Sequence, residues 1–220
     1  MNLNFDESPG RRLPVYLLLD VSGSMSGAPI VAVNNGVGLL YRELMNNPSA
    51  LETVWISVIT FAQEAHRTPL VELSHFSPPT LTAGGPTALG AALRELGRAL
   101  DSDIIPNSPD RKGDYKPLAF LLTDGAPTDD WQSATDAIKA RKSARLGAMI
   151  ALGCGDQIDV NVLKGITDQV MLMRDIRAES LQEYFRWVSA SVKASIAMPR
   201  TGQGDSLSMM PPPPPTIEML

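Results

Sequence analysis

Five side chains in three polar segments of the sequence could together bind a hard metal ion. Each offers a carboxylate or a hydroxyl oxygen: Asp20, Ser22, Ser24, Thr87 and Asp124. Oxygen ligands without imidazole or thiolate suit magnesium, manganese or calcium and suit zinc poorly. Mg²⁺ is the expected ion, with Mn²⁺ or Ca²⁺ as alternatives. Because Mg²⁺ favours six ligands and keeps some of its waters, such a site would leave positions open for an incoming ligand.

The neighbouring segments predict that these side chains meet at one edge of a sheet. The apolar runs 13–19 and 118–122 are too short for helices and are typical of buried strands. Asp20 and Asp124 follow these runs, and in an open parallel sheet the carboxyl ends of the strands form the ligand crevice. Two carboxylates at that edge would repel each other unless a cation lay between them. A divalent metal would remove this repulsion.

The order of elements predicts an α/β fold with a doubly wound, mostly parallel sheet and helices on both faces. Strand-sized runs alternate with segments such as 30–44 and 89–100, whose apolar residues recur at three- and four-residue steps. This alternation is typical of right-handed βαβ crossovers. The β-branched run 54–61 and the short run 70–73 are expected to form a hairpin, which adds one antiparallel edge strand.

The chain is expected to hold one domain, 13–197, between an N-terminal extension, 1–12, and a disordered proline-rich tail, 198–220. The tail contains five consecutive prolines, which favour an extended polyproline helix. It is either a free terminus or a docking peptide for an aromatic-lined groove. Either way, its removal is expected to leave stability nearly unchanged, because a polar, proline-rich segment buries little apolar surface.

Composition indicates a globular protein without nucleic-acid or membrane partners. The formal net charge is −5, which opposes attraction to phosphate backbones and to anionic membranes. No apolar run approaches the roughly 20 residues of a membrane span, and the first residues lack the features of a secretory signal. Cys154 is the only cysteine, so no intrachain disulfide can form. These features favour a cytoplasmic location.

The metal-binding candidates resemble a motif of von Willebrand factor type A (VWA) domains. Asp-Val-Ser-Gly-Ser-Met, starting at Asp20, is similar to the Asp-x-Ser-x-Ser element of their metal-ion-dependent adhesion site (MIDAS). Thr87 and Asp124 match the threonine and the aspartate of that family's second and third loops. The resemblance covers 13–196 and implies a doubly wound sheet whose bound metal holds a partner protein through a glutamate or aspartate.

A narrower resemblance is to the TerY-type proteins of bacterial tellurite-resistance systems. It rests on Leu-Pro-Val-Tyr-Leu-Leu-Leu-Asp-Val-Ser-Gly-Ser-Met-Ser-Gly-Ala-Pro-Ile from position 13 and on Thr-Asp-Gly-Ala-Pro-Thr-Asp from position 123. For that family the resemblance implies a cytoplasmic, partner-binding role in stress resistance. The partners implied are a protein kinase and a metal-dependent, PP2C-like phosphatase.

Other interpretations of the same residues remain open. Hydroxyls at helix starts are common as caps, and Asp129 and Asp130 are expected to cap a helix over 134–144. A metal-dependent phosphohydrolase would need an acid two residues after Asp20, where Ser22 stands. A third alternative is a subunit that partners an ATPase of the chelatase type, although no ATPase motif is present. A binding module, and not an enzyme, is therefore the main hypothesis.

The two histidines and the single cysteine are not expected to act as catalytic residues. His66 and His75 flank the predicted edge strand and are expected on the surface, far in sequence from Cys154. The cysteine follows a strand-like apolar run and is expected to be a small core residue.

Overall fold

A computed structural model describes residues 10–197 and 210–220 of the chain. Within these residues, eight strands form one sheet in the order β3-β2-β1-β5-β6-β7-β8, and β4 also pairs with β2. The strands are β1 (Leu13–Asp20), β2 (Val54–Phe61), β3 (Ala65–Arg67), β4 (Val71–Glu72), β5 (Leu118–Thr123), β6 (Ala148–Cys154), β7 (Gln169–Met173) and β8 (Glu218–Met219). The five central strands, from β2 to β7 across the sheet, are parallel, and β3, β4 and β8 are antiparallel to their neighbours. This confirms the predicted fold class.

Helices cover both faces of the sheet. They are α1 (Ala28–Met45), α2 (Pro48–Thr53), α3 (Leu89–Ser102), α4 (Gln132–Lys139), α5 (Val160–Ile166) and α6 (Ala178–Ala197). The apolar sides of α1, α2 and α6 pack on one face, and those of α3, α4 and α5 pack on the other. The sequence did not predict α2 or α5, because helices of six and seven residues show too little periodicity. No helix of the described residues is long and apolar enough to span a bilayer.

The central strands are buried on both faces, as their continuous apolar runs predict. All eight residues of β1 are buried, and their side chains alternate between the two halves of the core. Leu17 of β1 lies in the half that contains α1 and α6, whereas Leu121 of β5 lies in the half that contains α3. The sheet therefore holds two separate apolar layers together.

Leucine-to-alanine substitutions in the two layers should both destabilise the protein. Leu17→Ala and Leu121→Ala should each lower the free energy of unfolding by about 2–5 kcal/mol, because each leaves a cavity in a packed interior. Urea denaturation measures this loss. Val31→Ala is the control, since Val31 is 57 % exposed on α1, and it should change stability by less than about 0.5 kcal/mol. A neutral Leu17→Ala would contradict the two-layer core.

The C-terminal segment, residues 210–220, departs from the expected disordered tail. It packs beside α6 and ends in β8, which pairs with the edge of β7. Ile217 is only 5 % exposed and belongs to the apolar core. Prolines cannot donate to a sheet, but the residues that follow the proline run can, and these form the strand. The prediction of disorder is wrong for 210–220, whereas 198–209 lie outside the described residues. The domain limits, 13 and 197, stay a prediction.

The C-terminal segment should contribute to stability, contrary to the expectation from its composition. Ile217→Ala should lower the free energy of unfolding by about 2 kcal/mol or more, because it removes most of a buried aliphatic side chain. Thermal and urea denaturation of the full chain would show the loss. Met219→Ala is the matched control, since Met219 lies in the same segment and is 46 % exposed. Equal stability of the two variants would show that the segment does not pack on the domain.

Candidate metal site

Asp20 ends β1 and is held by hydrogen bonds to both carboxylate oxygens. Its side chain is fully buried. The backbone N–H of Ser22 donates to Oδ1 at 2.8 Å, and the hydroxyl of Thr123 donates to Oδ2 at 2.5 Å. Thr123 is the last residue of β5, the strand beside β1. The carboxylate therefore has one fixed orientation at the edge of the sheet.

A short chain of hydroxyls joins the first loop to Asp124. Ser22 and Ser24 lie in the turn after β1, and their Oγ atoms are 3.0 Å apart. Ser24 Oγ donates to Asp124 Oδ1 at 2.6 Å. Asp124 follows β5 and is only 6 % exposed, while Ser24 is exposed at the rim of the site. The structure thus brings the predicted residues of the first and third loops into direct contact.

The second loop brings Thr87 to the same edge through its backbone. The N–H of Gly23 donates to the carbonyl of Gly85 at 2.8 Å, and Gly85 has a left-handed φ of 85° that favours glycine. The carbonyl of Thr87 accepts from the N–H of Thr128 at 2.9 Å. Backbone hydrogen bonds therefore tie the second loop to both other loops.

Gly125 leaves space between the hydroxyls of the second and first loops. A Cβ atom at this position would lie 3.4 Å from Thr87 Oγ1 and 3.9 Å from Ser24 Oγ. Both are ordinary van der Waals distances, so a methyl group would fit here but would fill the space beside these two oxygens. Glycine here keeps open a small cradle lined by oxygens, and the sequence had given it no role.

Burial raises the pKa of both carboxyl groups at the site. For Asp20 burial is the main cause, the hydrogen bonds from Ser22 and Thr123 oppose it, and the nearby charge of Asp124 raises the pKa further. For Asp124 burial again dominates, and the hydrogen bond from Ser24 opposes it. In the described ranges, 10–197 and 210–220, neither carboxylate is in an ion pair. A cation in the cradle would stabilise both in the charged form.

The donor set fits a hard divalent cation. It combines two carboxylates with three hydroxyl oxygens, and no cluster of three or more His, Cys, Asp or Glu side chains of metal-binding geometry occurs among the described residues. Cys154 ends β6 and is fully buried, and burial raises the pKa of its thiol, so it stays neutral. His66 and His75 are exposed, as expected. Hydroxyls must therefore complete any metal shell at this edge.

Asp129 caps a different helix from the one predicted. Its Oδ1 accepts from the N–H of Gly90 at 2.7 Å and its Oδ2 from the N–H of Ala91 at 2.8 Å, both in the first turn of α3. Asp130 does stand at the start of α4, where it accepts from the N–H of Ser133 at 3.1 Å. Helix α4 also ends at Lys139 and does not reach position 144. Through Asp129, the third loop holds the helix that follows Thr87.

Removing the Asp129 carboxylate should loosen the start of α3. Asp129→Ala should lower the free energy of unfolding by about 0.5–2 kcal/mol, the range for loss of a helix cap. Urea denaturation measures the change, and hydrogen exchange at Gly90 and Ala91 locates it. The control is Asp136→Ala, which removes an exposed acid from α4. Unchanged exchange at the two amides would contradict the capping role.

Comparison with known proteins identifies the fold. The sequence matches no protein-family model and no curated protein. Solved structures do match, among them a von Willebrand factor type A protein from Catenulispora acidiphila, with 21 % identity over 84 % of this chain and 43 % of that one and a TM-score of 0.66. Proximal thread matrix protein 1 from the mussel byssus, with a zinc-occupied MIDAS motif, has 17 % identity over 82 % of this chain and 48 % of its own, with a TM-score of 0.57. The ArnB paralog VWA2 from Sulfolobus acidocaldarius has 15 % identity over 82 % and 46 % of the two chains, with a TM-score of 0.57.

These likenesses establish that the chain has the fold of a VWA domain. The part of this chain that matches covers less than half the length of each of these three proteins.

Proposed function

We propose that the protein is a metal-dependent protein-binding module in which one divalent ion joins the domain to its partner. Five side chains would hold the ion: Asp20, Ser22, Ser24, Thr87 and Asp124. The observation that carries the proposal is the pair of buried carboxylates at the ends of two adjacent strands. They are connected through Ser22 and Ser24, and neither forms an ion pair in the described part of the chain. This arrangement supports the proposal of a metal site of the MIDAS type.

The bound ion would supply an electrophilic position for a carboxylate of the partner. The two aspartates bring two negative charges, so they would neutralise a divalent ion without filling its coordination shell. A glutamate or aspartate on the partner's surface can complete the shell, and the attraction is strongest where the interface excludes water. Mg²⁺ is the first candidate, with Mn²⁺ and Ca²⁺ next. The mussel protein with a zinc-occupied motif makes Zn²⁺ a further ion to test.

A groove of about 460 Å³ beside the cradle offers room for the segment that carries this carboxylate. Its walls include Thr60 and His66 from the β2–β3 hairpin, Gln63 between these strands, and Gly84 of the second loop. The walls also include Val21, Ala62 and Glu64, so they combine polar and apolar surface and carry one acidic side chain. The groove would set which carboxylate-bearing partner is accepted.

The site chemistry favours binding over hydrolysis. Ser22 occupies the position at which a phosphohydrolase of this layout would need a general acid, and a serine hydroxyl is too weak an acid for that role. The thiol of Cys154, which could otherwise act as a nucleophile, is fully buried and stays neutral. The module therefore acts by holding a partner.

The narrower resemblance suggests where such a module works. The sequence segments that begin at positions 13 and 123 resemble TerY-type proteins, and both contribute residues to the cradle. By this resemblance the protein acts in the bacterial cytoplasm as a component of a tellurite or general stress-resistance system. A protein kinase and a PP2C-like phosphatase are the partners to test first.

Asp20→Asn should abolish metal binding while it preserves the fold. An asparagine Oδ1 can still accept from the Ser22 N–H, and its Nδ2 can donate to the Thr123 hydroxyl, so the substitution removes charge with little change in shape. Calorimetric titration with Mg²⁺, Mn²⁺, Ca²⁺ and Zn²⁺ should show a loss of affinity greater than the 10–100-fold typical of outer-shell changes. The metal-free variant should unfold at a higher temperature than metal-free wild type, because a buried charge is gone.

Serine variants and a distant acid provide the graded controls. Ser22→Ala and Ser24→Ala should weaken metal binding less than Asp20→Asn, because water can replace a neutral ligand. Asp136→Ala should leave the affinity unchanged. If Asp20→Asn binds the metal with the same affinity as wild type, the assignment of Asp20 as a metal ligand is wrong. If metal binds but pull-downs with the candidate kinase and phosphatase are identical with Mg²⁺ and with chelator, the site stands and these partners are wrong.

A further inference from the structure

The C-terminal segment contacts the domain in the way that a bound extended peptide would. Prolines have carbonyls but no N–H groups, so a proline run needs donors from the surface on which it lies. Trp187 of α6 supplies one, since its Nε1–H donates to the carbonyl of Pro211 at 2.8 Å. Stacking on Tyr184 and an edge contact with Phe120 fix the position of the indole ring. The donor is therefore built into the core and faces the proline run.

An apolar position and a polar anchor follow the proline run. Ile217 is 5 % exposed and packs into the core beside α6. Its neighbour Thr216 donates from Oγ1 to Glu183 Oε2 at 2.6 Å. Met210, at the other end of the segment, is half-buried against the same core. The surface thus distinguishes side chains at defined spacings along the segment.

The last residues add a strand to the edge of β7. Strand β8 pairs antiparallel with β7, and the N–H of Leu220 donates to the carbonyl of Val170 at 3.0 Å. Glu218 also pairs with Arg174 at 3.3 Å. An indole donor for a proline carbonyl and the addition of a strand to a sheet edge are both general modes of peptide recognition. Here the two modes act on consecutive parts of one segment.

We propose that the surface formed by α6 and the edge of β7 is a peptide-binding site, which the chain's own C-terminal segment occupies. The ligand class is an extended peptide of a partner protein with a proline run, a hydroxyl residue, a large aliphatic residue and then a strand-forming end. The site lies two strands away from β5 and the metal cradle, so it is separate from the metal-dependent proposal. Occupancy by the chain's own segment keeps the partner's peptide out until it is displaced.

Tethering gives the chain's own segment an advantage over a free peptide. A ligand joined by a short connection competes at an effective concentration in the millimolar range. A partner peptide must therefore bind well or be present at high local concentration. Breaking the connection should convert the occupied site into an ordinary bimolecular one, which makes the proposal measurable in the full chain.

The test uses the full chain with a protease recognition sequence inserted between residues 198 and 209. After cleavage, a fluorescein-labelled peptide with the sequence of residues 210–220 is added, and its anisotropy is measured against protein concentration. The uncut chain is the matched control. We expect the cleaved protein to exchange its segment for the labelled peptide, and the uncut protein to bind it at least roughly tenfold more weakly.

Variants identify which contacts the binding uses. Trp187→Phe keeps an aromatic ring but loses the donor, and it should weaken binding about fivefold, the usual worth of one hydrogen bond. Glu183→Ala removes the hydrogen-bond partner of Thr216 and should have a similar effect. A peptide with Ile217→Asp should bind more than about tenfold weaker, because it cannot fill the apolar position. Melting temperatures of both protein variants are measured beforehand.

Two results would overturn the proposal. In the first, the cleaved protein remains folded but takes up no labelled peptide, which would make the segment a fixed part of the domain. In the second, the uncut chain forms concentration-dependent dimers in sedimentation that dissociate on Ile217→Asp. The segment would then belong on a second copy of the chain and not on its own domain.

Discussion

The arrangement of the site depends on one electrostatic constraint, which is that two carboxylates are buried side by side at the edge of a parallel sheet. Because β1 and β5 are neighbours and end at the same level, Asp20 at the end of β1 lies near enough to Asp124, just after β5, for the charge of Asp124 to raise its pKa. Hydroxyl donors from Thr123 and Ser24 stabilise the charges in part, and burial still raises the pKa of both groups. Keeping such a pair buried without a counterion costs stability, and proteins commonly accept a cost of this kind at functional sites.

Backbone hydrogen bonds connect the three loops that carry these groups. The backbone of the first loop bonds to Gly84 and Gly85 in the second, and the second bonds to Thr128 in the third. Asp129 then fixes the start of α3. These links lie above strands that are buried on both faces, so the oxygens of the site are held before any ligand arrives. Preorganisation of this kind lowers the ordering cost of binding.

The fold and the meeting of the candidate ligands at one edge of the sheet could be predicted from the sequence because both follow from local patterns. A continuous apolar run marks a buried parallel strand, and the polar residue that ends it falls at the carboxyl edge. Thr123 escaped notice because a threonine at a strand end is unremarkable until its neighbour across the sheet is known. The partner of Asp129 is 39 residues away, so no local pattern could reveal it. For 210–220 the composition gave a wrong prediction of disorder. Five prolines favour disorder unless a neighbouring group donates to their carbonyls, as the Trp187 indole does to Pro211.

The short strand β8 also has a consequence for how the molecules meet one another. A parallel sheet exposes bonding groups along its outer strand, and an apolar strand such as β7 would invite another chain to continue the sheet. The added strand is two residues long and carries Glu218, and the opposite side is closed by the β3 and β4 pairings. Both edges of the sheet therefore end in short antiparallel strands, and short edge strands offer little backbone for another chain to pair with. If the chain's own segment left this edge, the bonding groups of β7 would be exposed until another strand paired with them.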